Sequence, residues 1–582
     1  MTELLTAAQM RAIEADAIAS GDVTGIQLME RAGRGVIAAI FEEWPEMAPE
    51  GWDRETWDRD TAAIDAAGVS PAVEYLGNKE EALRALVFCG PGNNGGDGFV
   101  VARLLRELGW DVSVRLFGEA EQLPPDARVN YERWLALGAV APLMSDPFDP
   151  EARPDLILDA VFGIGVNRPL PSEVEHALSH TARSRAYRVA SKMKLVAVDI
   201  PSGLSSDTGE YDFNGLSTRE PALTELAVTF HSPKLGHYLE SGPGACGKLA
   251  VVDIGLRGDG MERSGPGLLP DAERVRLVEP VHTGRNFRKP LDMGFFVRSH
   301  LSKHKSPGTH KYDHGSVLVF GGGVGKGGAA RLAARAALRV GAGLVTVSVP
   351  PSALQENACQ LTAIMLRADK DAGAFAEAAD DRVSGYCLGP GLGVGERTRD
   401  FVAAVTGLGT SERHWRRPAV VLDADALTSF EADPAALFAL THERCVMTPH
   451  AGEFARLFPD ISEEWRQGGL AKTDAARQAA DRAGCVVLLK GPDTVIAAPG
   501  GPCAVHAAAY DREVPWLATA GAGDVLAGMI AGIGAWPIGP DIFCVAEIAA
   551  WLHTECALEF GAGLIAEDLP DVLPAVFARL GF

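Results

Sequence analysis

The chain has 582 residues and a formal net charge of −23, from 54 Lys and Arg against 77 Asp and Glu. This length is too great for one hydrophobic core, and at about 150 residues per domain it predicts two to four domains. The acidic balance argues against nucleic acid as a partner, because phosphate backbones are bound by clustered Lys and Arg. The lack of a run of about 18 apolar residues argues against a membrane-spanning helix.

The first residues, Met1–Arg11, contain no basic stretch followed by an apolar block. They predict a capped amphipathic helix and not an export signal. The nine cysteines are scattered singly, without a Cys-x-x-Cys pair, which is typical of reduced thiols. We therefore expect a cytoplasmic protein.

An acidic segment, residues 42–79, contains Trp44, Trp52 and Trp57. We interpret it as a solvated insertion that its tryptophans pack down.

Strand and helix patterns alternate through the first half of the chain. The predicted strands are Ala85–Cys89, Asp111–Phe117, Leu156–Asp159, Leu195–Asp199 and Val251–Leu256, and a helix is predicted at Phe99–Leu108. This alternation predicts an α/β domain with a parallel sheet between two layers of helices, a Rossmann-like three-layer sandwich. In such sheets ligands bind beyond the carboxyl ends of the strands.

A glycine-rich turn, Gly90–Gly98 (GPGNNGGDG), follows the first of these strands. Its backbone N–H groups and the helix after it predict an anion site, and Asp97 adds a carboxylate that a simple phosphate turn would not need. The spacing Gly90-x-Gly92-x-x-Gly95, with Glu119 further on, also matches a dinucleotide fingerprint. A Rossmann oxidoreductase is therefore an alternative, although Asp97 would lie where the pyrophosphate binds.

Two further strands end in aspartates, Asp159 and Asp199, each followed by glycine-containing loops. Isolated aspartates of this kind are often structural caps, but loops at strand ends also carry chemistry. Asn94, Asp159 and Ser202 are hard oxygen ligands and could together bind a monovalent or divalent cation.

The stretch 257–288 is rich in Gly, Pro and charge and predicts a linker. A second series of elements follows it. The predicted strands are Ser316–Phe320, Gly343–Val349, Val420–Asp423, Cys445–Thr448 and Val486–Lys490, with helices at Ala329–Val340, Gly523–Ile533 and Val545–Phe560. The abundance of Ala and Gly in the last two predicts closely packed helices.

Three motifs in the second half predict phosphate chemistry. His450 follows a buried strand and is as well explained by a ligand contact as by a satisfied surface or core histidine. The turn Lys490–Thr494 (KGPDT) suits a phosphate, although a solvated β-turn is nearly as good an explanation. The strongest motif is Gly521–Asp524 (GAGD), whose amides and helix dipole would stabilise the charge of phosphoryl transfer. Asp524 would then accept the proton of an attacking hydroxyl.

With these residues in place, the chain resembles the bifunctional NAD(P)H-hydrate repair enzymes, which join an epimerase to an ADP-dependent dehydratase of the ribokinase-like fold. The resemblance covers nearly the whole chain. In the first half it rests on the blocks Gly25–Gly33, Gly92–Gly98, Leu158–Gly165, Val198–Gly203 and Thr229–Gly236. In the second half it rests on Gly341–Val345, Gly389–Gly393, Leu422–Leu427, Thr448–Glu453, Lys490–Thr494 and Thr519–Gly528.

The resemblance implies an epimerase domain at 1–257, a linker at 258–285 and a ribokinase-like dehydratase domain at 286–582. The epimerase would interconvert the R and S hydrates of NADH and NADPH, with Asp199 as the acid–base residue. The hydrate would be bound by Asn93, Asn94, Gly95, Gly96, Asp97, Gly163, Ile164, Gly165, Val166, Asn167, Arg168, Pro169 and Asp199. Potassium would be held by Asn94, Asp159 and Ser202.

For the dehydratase, the resemblance implies conversion of the S hydrate to NAD(P)H with release of AMP and phosphate. Ala330, Gly391, His450 and Asp524 would contact the hydrate. The co-substrate ADP would be bound by Lys490, Gly491, Pro492, Asp493, Thr494 and Gly523, with Mg²⁺ on its phosphates.

The expected partners are the small molecules NADHX, NADPHX and ADP, with no nucleic acid and no membrane, and a homo-oligomer is expected. The alternative is a ribokinase-like small-molecule kinase fused to a Rossmann-type nucleotide-binding domain.

Overall fold

The computed structural model describes residues 2–64, 82–144, 153–165, 169–182, 188–189, 192–211, 223–256, 273–278, 297–298, 301, 303, 310–409, 417–536 and 539–582. The chain divides into two compact units. Leu4–Leu268 form the N-terminal unit, and Met1–Glu3 with Leu269–Phe582 form the C-terminal unit. The first strand, β1 (Thr2–Leu4), lies at the edge of the C-terminal sheet.

The N-terminal unit contains a seven-stranded sheet in the order β4-β3-β2-β5-β6-β7-β8, with every pair parallel. Its strands are β2 (Arg84–Cys89), β3 (Asp111–Leu116), β4 (Val140–Pro142), β5 (Leu156–Ala160), β6 (Lys194–Val198), β7 (Leu226–Phe230) and β8 (Lys248–Val252). Its helices are α1 (Ala7–Ser20), α2 (Gly25–Glu43), α3 (Arg54–Ala62), α4 (Asn93–Glu107), α5 (Pro125–Leu135), α6 (Ser172–Ala182) and α7 (Gly242–Cys246).

The helix predicted at the N-terminus is α1, and Thr6 caps it by accepting a hydrogen bond from the Gln9 N–H at 3.2 Å. In the described part of the acidic insertion, Trp44 and Trp57 are buried, and Trp57 Nε1 donates to the Arg34 carbonyl at 3.0 Å. Because both side chains are buried, the packing role predicted for Trp44 and Trp57 is confirmed. Residues 65–79 of that insertion lie outside the described residues.

The C-terminal unit contains an 11-stranded sheet in the order β1-β9-β18-β17-β16-β15-β14-β13-β10-β11-β12. The strands from β10 to β16 pair in parallel, and β17 pairs antiparallel with both β16 and β18. They are β9 (Val275–Leu277), β10 (Ser316–Phe320), β11 (Leu344–Val349), β12 (Met365–Ala368), β13 (Gly385–Leu388), β14 (Ala419–Leu422), β15 (Cys445–Met447), β16 (Val486–Leu489), β17 (Asp493–Ala497) and β18 (Cys503–Ala507).

The helices of this unit are α8 (Gly328–Arg339), α9 (Leu354–Ala358), α10 (Ala372–Glu377), α11 (Glu396–Thr406), α12 (Asp425–Thr428), α13 (Pro434–Phe438), α14 (Ala451–Leu457), α15 (Pro459–Arg466), α16 (Lys472–Ala483), α17 (Ala522–Gly534), α18 (Ile542–Phe560) and α19 (Asp568–Arg579). Helices α8 and α17 touch through small residues, and a Cβ on Gly528 would lie 2.1 Å from the Ala333 carbonyl oxygen. The close packing predicted for the helix Gly523–Ile533 is thus confirmed, with α8 as the helix it packs against.

Within the segment predicted as a linker, only residues 273–278 are described. Leu268, where the two units divide, lies within it. Further along, Val275–Leu277 form strand β9, which pairs in parallel with Cys503–Val505 of β18. Three residues are too few for a period to be recognised in the sequence, so this strand was not predicted.

No helix among the described residues has the length and hydropathy needed to cross a membrane.

Candidate functional sites

The glycine-rich turn of the N-terminal unit is itself the first turn of helix α4, which begins at Asn93 and not at Phe99 as predicted. The backbone is tightly packed there, since a Cβ on Gly90 would lie 1.7 Å from the Val161 carbonyl oxygen and one on Gly95 would lie 2.0 Å from the Gly90 carbonyl oxygen. A first helical turn leaves backbone N–H groups without intrahelical partners. The N–H groups of Asn93, Asn94 and Gly95 can therefore face an anion, whereas the Gly96 N–H donates to the Gly92 carbonyl at 3.2 Å. Asp97 lies on the same turn.

Asp199 follows strand β6 and has a left-handed backbone, with φ of +65°. The Ile200 N–H donates to the Val198 carbonyl at 2.9 Å, which closes a three-residue γ-turn around Asp199. This turn is strained for a residue with a side chain, and such strain is concentrated at functional sites. The backbone geometry is thus a second reason, besides the sequence, to consider Asp199 a candidate functional residue.

The Asp199 carboxylate is buried and paired with a lysine that sequence analysis did not single out. Its Oδ1 accepts hydrogen bonds from Thr229 Oγ1 at 2.8 Å and from Lys234 Nζ at 3.2 Å. Burial alone would raise the pKa of Asp199, but the Lys234 ammonium and the Thr229 hydroxyl outweigh it and lower that pKa below its ordinary value. Asp199 is therefore ionised and held in one orientation.

Two other carboxyl groups nearby have pKa values that are shifted upward, opposite to that of Asp199. Burial and the negative charge of Asp199 raise the pKa of Asp97 well above its ordinary value. The same two causes raise the pKa of Glu14 on α1, in part offset by Lys234 and Arg11. One site thus holds a carboxyl group whose pKa is lowered, Asp199, and one whose pKa is raised, Asp97, and acid–base catalysis uses pairs separated in this way.

The three proposed cation ligands gather around one loop. Ser202 Oγ donates to Asp159 Oδ1 at 2.6 Å and accepts from the Phe162 N–H at 2.9 Å. The next residue, Gly163, touches Asn94, because a Cβ there would lie 3.1 Å from Asn94 Oδ1. The Nδ2 atom of Asn94 is buried without a hydrogen-bond partner among the described residues.

The loop Gly163–Pro169 is described only in part. Gly163, Ile164, Gly165 and Pro169 are described, whereas Val166, Asn167 and Arg168 lie outside the described residues. A Cβ on Gly165 would lie 3.6 Å from Nη1 of Arg11. Helix α1 therefore reaches this loop with a guanidinium group, which adds positive charge beside the anion-binding turn.

The second glycine turn has the same construction in the C-terminal unit. Gly521 has φ of +92°, and helix α17 begins at Ala522, so that Gly523 and Asp524 lie in its first turn. Burial and the charge of Asp423 raise the pKa of Asp524 to about 6, although Lys490 lowers it in part. A carboxyl group with this pKa is suited to proton transfer near neutral pH.

Lys490 and Asp423 form the charged centre beside this turn. Asp423 follows β14, and its Oδ1 accepts from Lys490 Nζ at 2.7 Å and from Thr448 Oγ1 at 2.8 Å. A Cβ on Gly523 would lie 3.4 Å from Lys490 Nζ. The ammonium of Lys490 thus faces the N-terminus of α17, where an anion would bind.

His450 is the N-cap of helix α14. Its Nδ1 accepts from the Gly452 N–H at 3.0 Å, so the ring proton is on Nε2. Its Nε2 lies 3.4 Å from Glu453 Oε1, and the side chain as a whole remains 55% exposed. His450 therefore has a structural role and can also contact a ligand.

The turn Lys490–Thr494 is stabilised by its own side chains. Thr494 Oγ1 donates to the Gly491 carbonyl at 2.8 Å, and Asp493 Oδ1 accepts from the buried ammonium of Lys472 at 2.6 Å. Pro492 lies between them, and its carbonyl accepts from the Ala508 N–H at 2.8 Å. The N–H groups of Lys490 and Gly491 are also occupied, by the Pro449 carbonyl at 2.9 Å and by Thr494 Oγ1 at 3.3 Å. These contacts shape the turn, so the Lys490 side chain is its strongest candidate to face a nucleotide.

Gly391 and Ala330 lie where two glycine loops meet. Gly391 has φ of +62°, and a Cβ there would lie 2.7 Å from the Lys326 carbonyl oxygen. Ala330 is fully buried in the first turn of α8, and a Cβ on Gly321 would lie 3.2 Å from its Cβ. The Ala330 side chain packs against the loop that contains Gly321. Its assignment as a contact with the hydrate stays a prediction.

Sequence analysis did not single out Lys234, Thr229, Glu14, Asp423 or Thr448. The signal was present for some of them, because Thr229 and Lys234 lie in the block Thr229–Gly236 and Asp423 lies in Leu422–Leu427. What these residues do depends on neighbours distant along the chain, such as Asp199 and Lys490.

Two family models match the chain. The model described as "YjeF-related protein N-terminus" matches residues 25–236, and the model described as "NAD(P)H-hydrate dehydratase" matches residues 317–574. Each match contains one of the two sites described above.

The chain is also similar to curated proteins over most of its length. It is 35% identical over 521 residues to a protein of Moorella thermoacetica named bifunctional NAD(P)H-hydrate repair enzyme Nnr, covering 85% of this chain and 88% of that protein. A Salinibacter ruber protein of the same name is 32% identical over 612 residues, covering 99% of this chain and 96% of that protein. The N-terminal half is 43% identical over 240 residues to the NAD(P)H-hydrate epimerase of Rhodobacter capsulatus, covering 41% of this chain and 92% of that protein.

Proposed function

Because the chain belongs to the family of bifunctional NAD(P)H-hydrate repair enzymes, we propose that its two sites act in turn on hydrated NADH and NADPH. The N-terminal unit is the NAD(P)H-hydrate epimerase and interconverts the R and S hydrates. The C-terminal unit is the dehydratase, of the ribokinase-like fold expected from the sequence, and returns the S hydrate to NAD(P)H.

For the epimerase, the hydrated carbon bears a hydroxyl group and the ring nitrogen. Inversion requires the hydroxyl to leave as water and a water molecule to add from the opposite face. We assign the proton donor to Asp97, whose pKa is raised, and the base that deprotonates the incoming water to Asp199, whose pKa is lowered. Lys234 keeps Asp199 ionised for this step, and the first turn of α4 binds the nucleotide's anionic groups.

Potassium is proposed at Asn94, Asp159 and Ser202. These residues fit the ion, because all three carry hard oxygen atoms. Ser202 Oγ lies 2.6 Å from Asp159 Oδ1, and Asn94 Oδ1 lies beside Gly163 of the same loop. Burial raises the pKa of Asp159, so a cation would stabilise its charge and hold the loop that follows β5.

For the dehydratase, Asp524 accepts the proton of the hydrate's hydroxyl as that oxygen attacks the terminal phosphorus of ADP. AMP leaves, and the phosphorylated carbon then loses phosphate while a proton departs from the neighbouring ring carbon, which restores the double bond of NAD(P)H. Lys490 and the first turn of α17 stabilise the phosphate charge during transfer.

Mg²⁺ is proposed on the phosphates of ADP. Such ions use one or two protein carboxylates together with phosphate oxygens, and Asp425 fits this role because Gly393 N–H occupies only its Oδ2, at 2.8 Å. The ion would neutralise the phosphate charge.

The observation that carries the proposal is that both units place a carboxylate and a mostly buried lysine beside the glycine-built first turn of a helix. Purified S hydrate incubated with ADP and Mg²⁺ tests the second half alone. Stoichiometric appearance of NAD(P)H and AMP is expected, and AMP formation without NAD(P)H would contradict the dehydratase assignment.

A homo-oligomer and a cytoplasmic location stay predictions from the sequence. Light scattering on the purified protein measures the first, and cell fractionation the second.

A further inference from the structure

A buried histidine, His237, connects the two residues that form the ion pair of the N-terminal site. Its Nδ1 accepts a hydrogen bond from the backbone N–H of Lys234 at 2.9 Å. Because Nδ1 is an acceptor, the ring proton lies on Nε2, which is 3.0 Å from the backbone carbonyl oxygen of Asp199. The ring thus bridges the main chains of Lys234 and Asp199.

The environment keeps this ring in one form. His237 is fully buried, and burial together with the Lys234 charge lowers its pKa to about 4, against the opposing effect of Asp199. The ring is therefore neutral over the physiological pH range, with one nitrogen donating and the other accepting.

The carbonyl that His237 holds belongs to the strained γ-turn around Asp199. The left-handed φ of +65° is unfavourable for an aspartate and persists only where the surroundings hold it. The Asp199 N–H is fixed by the Val228 carbonyl at 2.7 Å, so His237 supplies the restraint at the carbonyl end.

We propose that His237 is a positioning residue of the epimerase, which sets the geometry of the Asp199–Lys234 pair by bridging their backbones. This proposal rests on the epimerase function proposed above. His237 acts through these two residues and not on the hydrate itself.

Three substitutions separate the two hydrogen bonds of the ring. His237→Gln places an amide N–H near the position of Nε2 and preserves the donor to Asp199. His237→Asn preserves an acceptor for the Lys234 N–H but does not reach Asp199, and His237→Leu preserves neither bond. The matched control is His176→Gln, at an exposed position on α6.

The assay follows conversion of purified R hydrate to the S form without ADP, so that the dehydratase is silent. We expect His237→Asn and His237→Leu to lower kcat by about 100-fold with KM within about threefold, since a shift near 1 Å in a catalytic group has an effect of that order. His237→Gln should recover most of this loss.

A thermal melt of each variant separates positioning from folding. If His237→Leu keeps the wild-type kcat, the proposal is wrong. It is also wrong if all three variants lose activity equally, in proportion to a loss of folded protein. Wild-type protein that does not epimerise the R hydrate would instead overturn the epimerase function on which the proposal depends.

Discussion

At the scale of single residues, the carboxyl groups of the two candidate sites have pKa values shifted in different directions. In the C-terminal unit, Asp524 has a pKa near 6 because it is buried close to Asp423. A base must be ionised to accept a proton, so its activity is present above its pKa and lost as the pH falls through it. We predict that kcat/KM for dehydration of the S hydrate rises between about pH 5 and pH 7 and then levels.

Asp524→Asn removes the base while preserving the size of the side chain. We expect kcat to fall by about 10²–10⁴, the range typical of general acid–base groups, with ADP binding retained. Asp400→Asn, at an exposed position on α11, is the matched control. Loss of ADP binding by calorimetry together with kcat would mean that Asp524 holds the nucleotide and does not act as the base.

In the N-terminal unit, Lys234 lowers the pKa of Asp199. Lys234→Met removes this charge, so the pKa of Asp199 should rise and the acid limb of the epimerase pH profile should move to higher pH. The epimerase rate at pH 7 should fall by at least about tenfold. Lys248→Met, whose wild-type side chain is 64% exposed, should leave both the rate and the profile unchanged, and an unshifted profile in Lys234→Met would contradict the assignment.

At the scale of elements, close contact between α8 and α17 positions the turn that carries Asp524. Substituting Ala for Gly in a helix normally stabilises it by about 0.5–1 kcal/mol. At Gly528 the added Cβ would instead meet the Ala333 carbonyl oxygen at 2.1 Å. We predict that Gly528→Ala destabilises the C-terminal unit by about 1–3 kcal/mol, the range of an overpacked core.

Gly328→Ala provides the matched control, because this helical glycine has no atom within 4 Å of its added Cβ. Chemical denaturation of both variants measures the difference. Equal stability of the two would show that α8 and α17 separate readily and do not fix the turn.

The elements themselves were predictable to different degrees. The strand Ser316–Phe320 matches the prediction to the residue. The last strand of the first half was predicted at Val251–Leu256 and is in fact Lys248–Val252. The hairpin of β17 and β18 was not predicted, because its fully buried strands lack alternation and a short apolar run does not reveal its type. Both glycine turns were predicted to precede their helices, and α4 in fact begins within its turn.

At the scale of the whole molecule, the sequence contained enough blocks in one order to predict the two α/β units and their family. Asp199 and Asp524 could be proposed from the sequence because each follows a strand or a glycine turn inside a motif, whereas Lys234 lies inside a motif without a local sign of its role. Lys234 and His237 act through contacts with Asp199, 35 and 38 residues away along the chain. Such long-range pairing is set by the order of strands in the sheet, which the local pattern of residues does not reveal.

The most direct test of the account uses one sample for both units. A mixture of R and S NADPH hydrates is incubated with the full chain, ADP and Mg²⁺, and NADPH is followed by its absorbance. The account predicts recovery of all the hydrate, with Asp199→Asn stopping at the share initially present as the S form. Recovery that stops at that share in the wild type would contradict the epimerase, and no recovery would contradict the dehydratase.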